Sequence, residues 1–251
     1  MTAALYRLPS GTLAGATEGD QVAVDGAEGH HAADVKRTVV GEQVLLSDGG
    51  ARLAEATVTA VAPGRIEARI DAFADAGYPG PRFTLVQALA KGDRDLSAIE
   101  AATELGIDAV VPWSAARSIV AWRGDRAAKA HRKWATTVEA AAKQSRRPVV
   151  PEVAALVTTR ALASEVRDVT ASGGAVFVLH EDAEGSITEA VLPDAGDVWL
   201  VVGPEGGIAP DEVEAFTGAG ASAVRMGHYV LRSSSAGPAA LAVLSARLRW
   251  R

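Results

Sequence analysis

Val201-Val202-Gly203-Pro204-Glu205-Gly206-Gly207-Ile208 carries an apolar run into a glycine-rich turn, the pattern of a buried strand that ends at a ligand site. The apolar run begins at Val198. Two others end in the same manner: residues 175–180 at Leu179-His180-Glu181, and residues 223–226 at Met226-Gly227, which lead on through Val230 to Leu231-Arg232-Ser233-Ser234-Ser235-Ala236-Gly237. Runs that are apolar throughout belong to parallel sheets, and in open α/β sheets ligands gather at the carboxyl ends of the strands. The glycine turn has neither the spacing of a dinucleotide fingerprint nor the lysine of a Walker loop. Taken singly, such a turn is more often structural than functional.

Working outward, strands alternate with helices from residue 82 onward. Strands are expected at 83–89, 109–113 and 149–153, and helices at 93–105, 125–145, 158–166, 211–217 and 236–250. Alternation of this kind predicts an α/β domain with a parallel sheet. The first seventy residues read differently. Short strands at 21–25, 42–47, 51–61 and 65–70, a turn at Asp48-Gly49-Gly50, a hairpin signal at Pro63-Gly64 and a short helix at 29–38 predict a small β-barrel. The predicted division is a barrel at 1–73, a linker at 74–81 rich in Gly and Pro, and the α/β domain at 82–251.

The chain has 251 residues with 48% hydrophobic content, enough for two cores. It contains no cysteine, which excludes disulfides, thiolate nucleophiles and thiolate metal sites. The start, Met1 to Leu8, lacks a positive segment followed by a long apolar stretch, so no signal peptide is expected. No apolar run approaches a membrane span of about 18 residues. A cytoplasmic protein is expected, with no membrane partner. Net charge is -6, yet between Arg117 and Arg147 nine basic residues face two acidic ones, a local +7 that leaves -13 elsewhere. A basic stripe on an acidic protein is the footprint of phosphate contacts, or else a solvated helix face.

The glycine turn followed by Met226-Gly227-x-x-Val230-Leu231-Arg232 and a Ser/Ala/Gly-rich helix start resembles the knotted SPOUT methyltransferases. Within them the chain resembles the ribosomal RNA small subunit methyltransferase E family. Further matches are Gln87-Ala88-Leu89-x-Lys91-Gly92-Asp93, Ala102-Thr103-Glu104-Leu105-Gly106, Glu139 with Gln144-Ser145-x-Arg147 and Val150-Pro151, and, at the front, His30-His31 with Val35, Arg37 and Ser47-Asp48-Gly49. The resemblance implies a PUA-like barrel, then a domain tied in a trefoil knot. It also implies a homodimer with each active site near the subunit interface, S-adenosylmethionine as methyl donor, and N3 of a uridine in 16S rRNA as target, within an assembled 30S subunit. A SPOUT enzyme of tRNA or large-subunit RNA, and a catalytically silent RNA-binding relative, are the alternatives. The chain departs from the family pattern at three places. Ser234 stands where many relatives carry Glu, so no role of that Glu carries over. Ala90 replaces a commoner Pro, and His228-Tyr229 replaces a frequent Pro-Arg pair.

On this reading the cofactor pocket comprises Leu179, His180 and Glu181, then Val202, Gly203, Pro204, Glu205, Gly206 and Gly207, and last Met226, Gly227, Val230, Leu231, Arg232, Ser233, Ser234 and Ala236. Arg232 is the candidate catalytic residue, positioning the uracil or stabilising its anion; the other reading is a salt bridge or phosphate contact. Glu205 either orients ligand groups or caps the following helix. Lys91 and Asp93 open the helix at 93–105, where capping is the plain reading of both. His30, His31 and Arg37 form one candidate RNA surface, or a plain surface turn. Arg117, Lys143, Gln144, Arg146 and Arg147 form the second. Five scattered histidines without paired carboxylates predict no metal site.

Overall fold

The computed structural model describes residues 3–78 and 80–250. The chain forms two units: one extends to Tyr78 and includes the segment Arg146–Val150, and the remainder of the chain forms the other.

The first unit is a mixed five-stranded sheet. Its strands are β1 (Ala4–Arg7), β2 (Gln21–Val24), β3 (Gln43–Ser47), β4 (Arg52–Ala62) and β5 (Arg65–Asp75), hydrogen-bonded in the order β1-β3-β4-β5-β2. Only β1 and β3 pair in parallel. Alternate residues point inward, so Ala54, Ala56 and Val58 of β4 meet Ile66, Ala68 and Ile70 of β5 in a core completed by Tyr6, Val24 and Leu46. β5 continues past its expected end into the first residues assigned to a linker. Phe73 explains the extension: it pairs with Ala54, packs on the core, and carries the Arg52 guanidinium 3.5 Å above its ring.

The expected helix at 29–38 is α1 (Gly26–His30), which runs directly into a π-helical turn, His31–Val35. Lys36 N–H closes that turn on the His31 carbonyl at 2.8 Å. Gly29 lets α1 lie against the neighbouring strands, because a Cβ there would sit 2.3 Å from the Gly64 carbonyl oxygen and 2.4 Å from that of Val24. Both neighbours are backbone and cannot yield. Gly29→Ala is therefore expected to destabilise this unit by about 3 kcal/mol, the scale of severe overpacking. Urea unfolding followed by circular dichroism checks it; an unchanged midpoint refutes the packing argument.

β1 was not expected, since four residues carry little period; its pairing with β3 is long-range. The expected strand at 149–153 divides. Val149 bridges Gly49 in the first unit, whereas β8 (Glu152–Val153) belongs to the second. Arg146–Val150 is held by two further bonds: the Arg7 guanidinium donates to the Arg147 carbonyl at 2.6 Å, and the Ser47 hydroxyl to the Pro148 carbonyl at 2.5 Å.

The second unit is an eight-stranded sheet in which every pairing is parallel. Besides β8, its strands are β6 (Arg82–Ala88), β7 (Ala109–Ser114), β9 (Val157–Thr158), β10 (Ala175–Leu179), β11 (Gly185–Ser186), β12 (Asp197–Val202) and β13 (Ser222–Arg225). The order is β11-β13-β10-β12-β6-β7-β8, with β9 beside β7. The helices are α2 (Arg94–Glu104), α3 (Asp125–Gln144), α4 (Thr159–Ala171), α5 (Pro210–Gly218) and α6 (Ser233–Leu248). One sheet face buries Val86, Val111, Trp113, Val178 and Val201 against Leu162, Val166 and Phe216 of α4 and α5, with the Trp113 and Phe216 rings edge to face at 5.3 Å. On the other face Gly237 of α6 lies against Leu85 and Val202, and a Cβ there would meet Leu85 at 2.7 Å. α6 begins before its expected start at 236, because the serine run forms the first helical turn and the Arg232 carbonyl accepts from Ser235 and Ala236 N–H. α4 runs beyond its expected end at 166 and is capped by the Thr158 hydroxyl. Among the described residues no helix is long and apolar enough to cross a membrane.

Candidate active site

The carboxyl ends of β10 and β12 and the loop between β13 and α6 enclose a cavity of about 700 Å³. That volume suits a ligand of nucleoside-plus-amino-acid size. Three stretches line it, 179–182, 202–208 and 230–233, together with Ala236, Arg94, Arg117 and Pro210. The cavity thus unites Leu179, His180 and Glu181, the turn Val202 to Gly207, and Val230, Leu231, Arg232, Ser233 and Ala236. Met226, Gly227 and Ser234 were expected beside them but do not line it. β13 ends at Arg225, and the chain between it and Val230 lies outside the wall.

The lining combines apolar walls with a few oriented polar groups. Ser233 lines the cavity and is 8% exposed, and its buried hydroxyl lacks a hydrogen-bond partner among the described residues. His180 Nδ1 accepts from Asp182 N–H at 3.2 Å, which places the proton of the neutral ring on Nε2. Arg232 is exposed, and its guanidinium has no hydrogen-bond or ion-pair partner among the described residues. The salt bridge considered for it is not formed among the described residues.

Glu205 does not cap α5. Its Oε1 accepts from Lys91 N–H at 2.8 Å and from the Arg94 guanidinium at 2.7 Å, tying the glycine turn to the start of α2. Burial pushes this carboxyl up, but its own backbone N–H, Arg94 and Lys91 N–H outweigh that effect and hold its pKa below the ordinary value. A lowered pKa means the tie is at full strength above the ordinary carboxylate value and is lost only as pH falls through the lowered one. Carbon-detected NMR titration is expected to show Glu205 ionising below the ordinary glutamate value, and Arg94→Ala to move it up. A midpoint that Arg94→Ala leaves in place would exclude the ion pair. Asp93 likewise does not cap α2 with its side chain, which pairs with Lys133 at 2.9 Å.

Arg117 was expected on an RNA surface but lines the cavity, its guanidinium donating to the Gly206 carbonyl at 2.9 Å. The other candidate RNA contacts fall on both units. In the first, His30 is tied through Nδ1 to Asp34 at 2.7 Å, and His31, Arg37 and Arg146 are exposed. Arg147 is half-buried there. In the second, Lys143 and Gln144 are exposed at the end of α3, along which Arg126, Lys129 and Arg132 also face solvent. Among the described residues no group of three or more His, Asp or Glu is arranged to hold a metal.

Four lining residues, Arg94, Asp182, Ile208 and Pro210, were not foreseen. Arg94 adjoins the Lys91-Gly92-Asp93 match and Ile208 closes the glycine turn, so adjacency was the available signal. Glu212 was also missed. It is buried, and its carboxylate closes the first turn of α5 by accepting from Ala209 N–H at 3.1 Å. Its signal was a Glu in the third helical position after Pro210.

A parallel α/β sheet whose strand ends enclose a nucleoside-sized cavity, preceded by a small mixed-sheet unit, matches an RNA methyltransferase domain over residues 79–245 and an RNA methyltransferase PUA domain over residues 24–71. The chain is 46% identical over 228 residues to the ribosomal RNA small subunit methyltransferase E of Mycobacterium tuberculosis, covering 90% of this chain and 87% of that one. To the Bacillus subtilis protein of the same name it is 28% identical, with 91% of each covered. The crystal structure of a ribosomal RNA small subunit methyltransferase E from Neisseria gonorrhoeae bound to S-adenosyl methionine superposes with a TM-score of 0.77 at 28% identity, covering 98% of both chains. The chain belongs to the ribosomal RNA small subunit methyltransferase E family of SPOUT RNA methyltransferases.

Proposed function

We propose that the protein transfers the methyl group of S-adenosylmethionine to N3 of a specific uracil in 16S rRNA, as a cytoplasmic homodimer acting on the 30S particle. The observation that carries this reading is the cavity at three strand ends, with Ser233 and Arg232, whose guanidinium is unpaired among the described residues, on its wall. The S-adenosylmethionine-bound relative with the same fold supports it.

The cofactor supplies an activated methyl on a sulfonium. The chain's own residues have two tasks: to align donor and acceptor, and to make loss of the uracil N3 proton easier. The turns at 179–182 and 202–208 would hold the adenosine and methionine parts, with Ser233 beside them on the wall at the start of α6. Arg232 holds the uracil, and its guanidinium stabilises the negative charge left when the N3 proton departs. The same reading takes the return of the chain from β13 to α6 as the threaded passage of a trefoil knot, and the first unit, with its exposed Arg37 and Arg146, as an RNA grip.

Methyl transfer to 30S particles lacking the modification tests it, with the product mapped by mass spectrometry. Labelling of 16S rRNA at a uracil N3 is expected. Labelling of tRNA or of 50S particles instead would reassign the substrate, and binding without transfer would make the protein a silent relative. Sedimentation is expected to give a dimer, and an active monomer at micromolar concentration would remove the dimer from the reading.

A further inference from the structure

Glu212 is 2% exposed, and its carboxylate is the meeting point of three separate parts of the second unit. Oε1 accepts from Ala116 N–H at 2.8 Å and from the Thr159 hydroxyl at 2.7 Å, and Oε2 accepts from Ala209 N–H at 3.1 Å. Thr159 begins α4 and in turn accepts from Trp113 Nε1 at 3.2 Å. Ala209 is the residue that follows the glycine turn. Ala116 precedes Arg117, whose guanidinium donates to the Gly206 carbonyl and whose Cβ would stand 3.3 Å from a Cβ placed on Gly206. The carboxylate therefore holds the glycine turn at two points: behind it, through Ala209, and across it, through the chain Ala116, Arg117, Gly206.

We infer that Glu212 is the positioning residue of the cofactor turn, acting through Arg117 on Gly206. The inference rests on the reading of the cavity as an S-adenosylmethionine site. Only a carboxylate meets the demand, because three donors converge and both oxygens must accept. A glutamine offers one acceptor and turns its amide hydrogens either on Ala209 N–H or on the Ala116 and Thr159 donors. The helix would survive that change more readily than the position of the turn.

A double-mutant cycle on the full chain, read as S-adenosylmethionine affinity by calorimetry, tests this. Glu212→Gln and Arg117→Met are each expected to weaken binding about tenfold, the scale of one lost hydrogen bond to a charged group. The double variant is expected to be no weaker than either single one, because both break the same chain of contacts. Circular dichroism accompanies each variant; if Glu212→Gln does not fold, Glu212→Asp, which keeps both acceptor oxygens but retracts them, is read in its place with the same expectation. Wild-type affinity in the glutamate variant overturns the inference, and so do effects that simply add. If the wild-type protein itself binds no S-adenosylmethionine, the proposed function falls first, and the inference with it.

Discussion

Arg232→Ala is expected to lower methyl transfer by about two orders of magnitude, the usual scale for one lost transition-state contact. Affinity for S-adenosylmethionine and for the ribosomal substrate should change little. The fold should also persist. The part Arg232 plays in α6 belongs to its carbonyl, which accepts from Ser235 and Ala236 N–H and is retained by alanine, while its guanidinium has no partner among the described residues. Arg232→Lys should recover only part of the rate, since a single ammonium cannot reproduce the planar fork of a guanidinium. Single-turnover methylation of 30S particles reads both variants. Normal turnover by Arg232→Ala would show that the anion is stabilised elsewhere.

The second large effect is expected from Arg146→Gly combined with Arg147→Ala. Arg146 follows the end of α3 with a φ of +56°, in the left-handed conformation where helices commonly end on glycine. An L side chain there carries roughly 1–2 kcal/mol of strain. Glycine relieves that strain, and alanine at 147 keeps the carbonyl that receives the Arg7 guanidinium. Arg146→Gly alone should hold or raise stability. RNA affinity should fall, and the salt dependence of binding should flatten by about two units, roughly one per lost phosphate contact. Filter binding to 16S rRNA across a salt series, beside thermal unfolding, measures both. Normal binding at every salt concentration would reduce this basic segment to a solvated surface. Arg37, at a φ of +54°, is a second arginine in the same backbone conformation within the same unit, and Arg37→Gly is expected to follow the same pattern.

Much of the second unit was legible because its signals are local. The runs at 175–180, 198–202 and 223–226 are strands β10, β12 and β13 to within a residue; β10 and β12 are buried or half-buried throughout, whereas β13 exposes Ser222 and Arg225. Boundaries failed where a polar run was helical, as at Ser233-Ser234-Ser235, or where a strand outran its apolar period, as β5 does at Phe73. The first unit was less legible: β1 is too short to show a period, and the π-helical turn at His31–Val35 has no sequence signature that separates it from an α-helix. Likewise the cavity's glycine turn was visible while its supports were not. Glu205 read as either a ligand contact or a helix cap, because nothing near it in sequence names Arg94 or Lys91 as its partners.

The sequence by itself determined the parallel sheet, the three strand ends that build the cavity, and the family to which the motifs belong. Those properties follow from hydrophobic period and from glycine and proline placed within a few residues of where they act. Tertiary structure alone decided which carboxylate caps α5, where Arg117 points, and to which unit Arg146–Val150 belongs. Each is settled by a partner many residues away. Glu205 meets Lys91, Glu212 meets Ala116 and Thr159, and Arg7 meets Arg147. A buried charge or carbonyl takes whichever donor the folded chain brings within hydrogen-bond distance, and the order of residues does not say which one that will be.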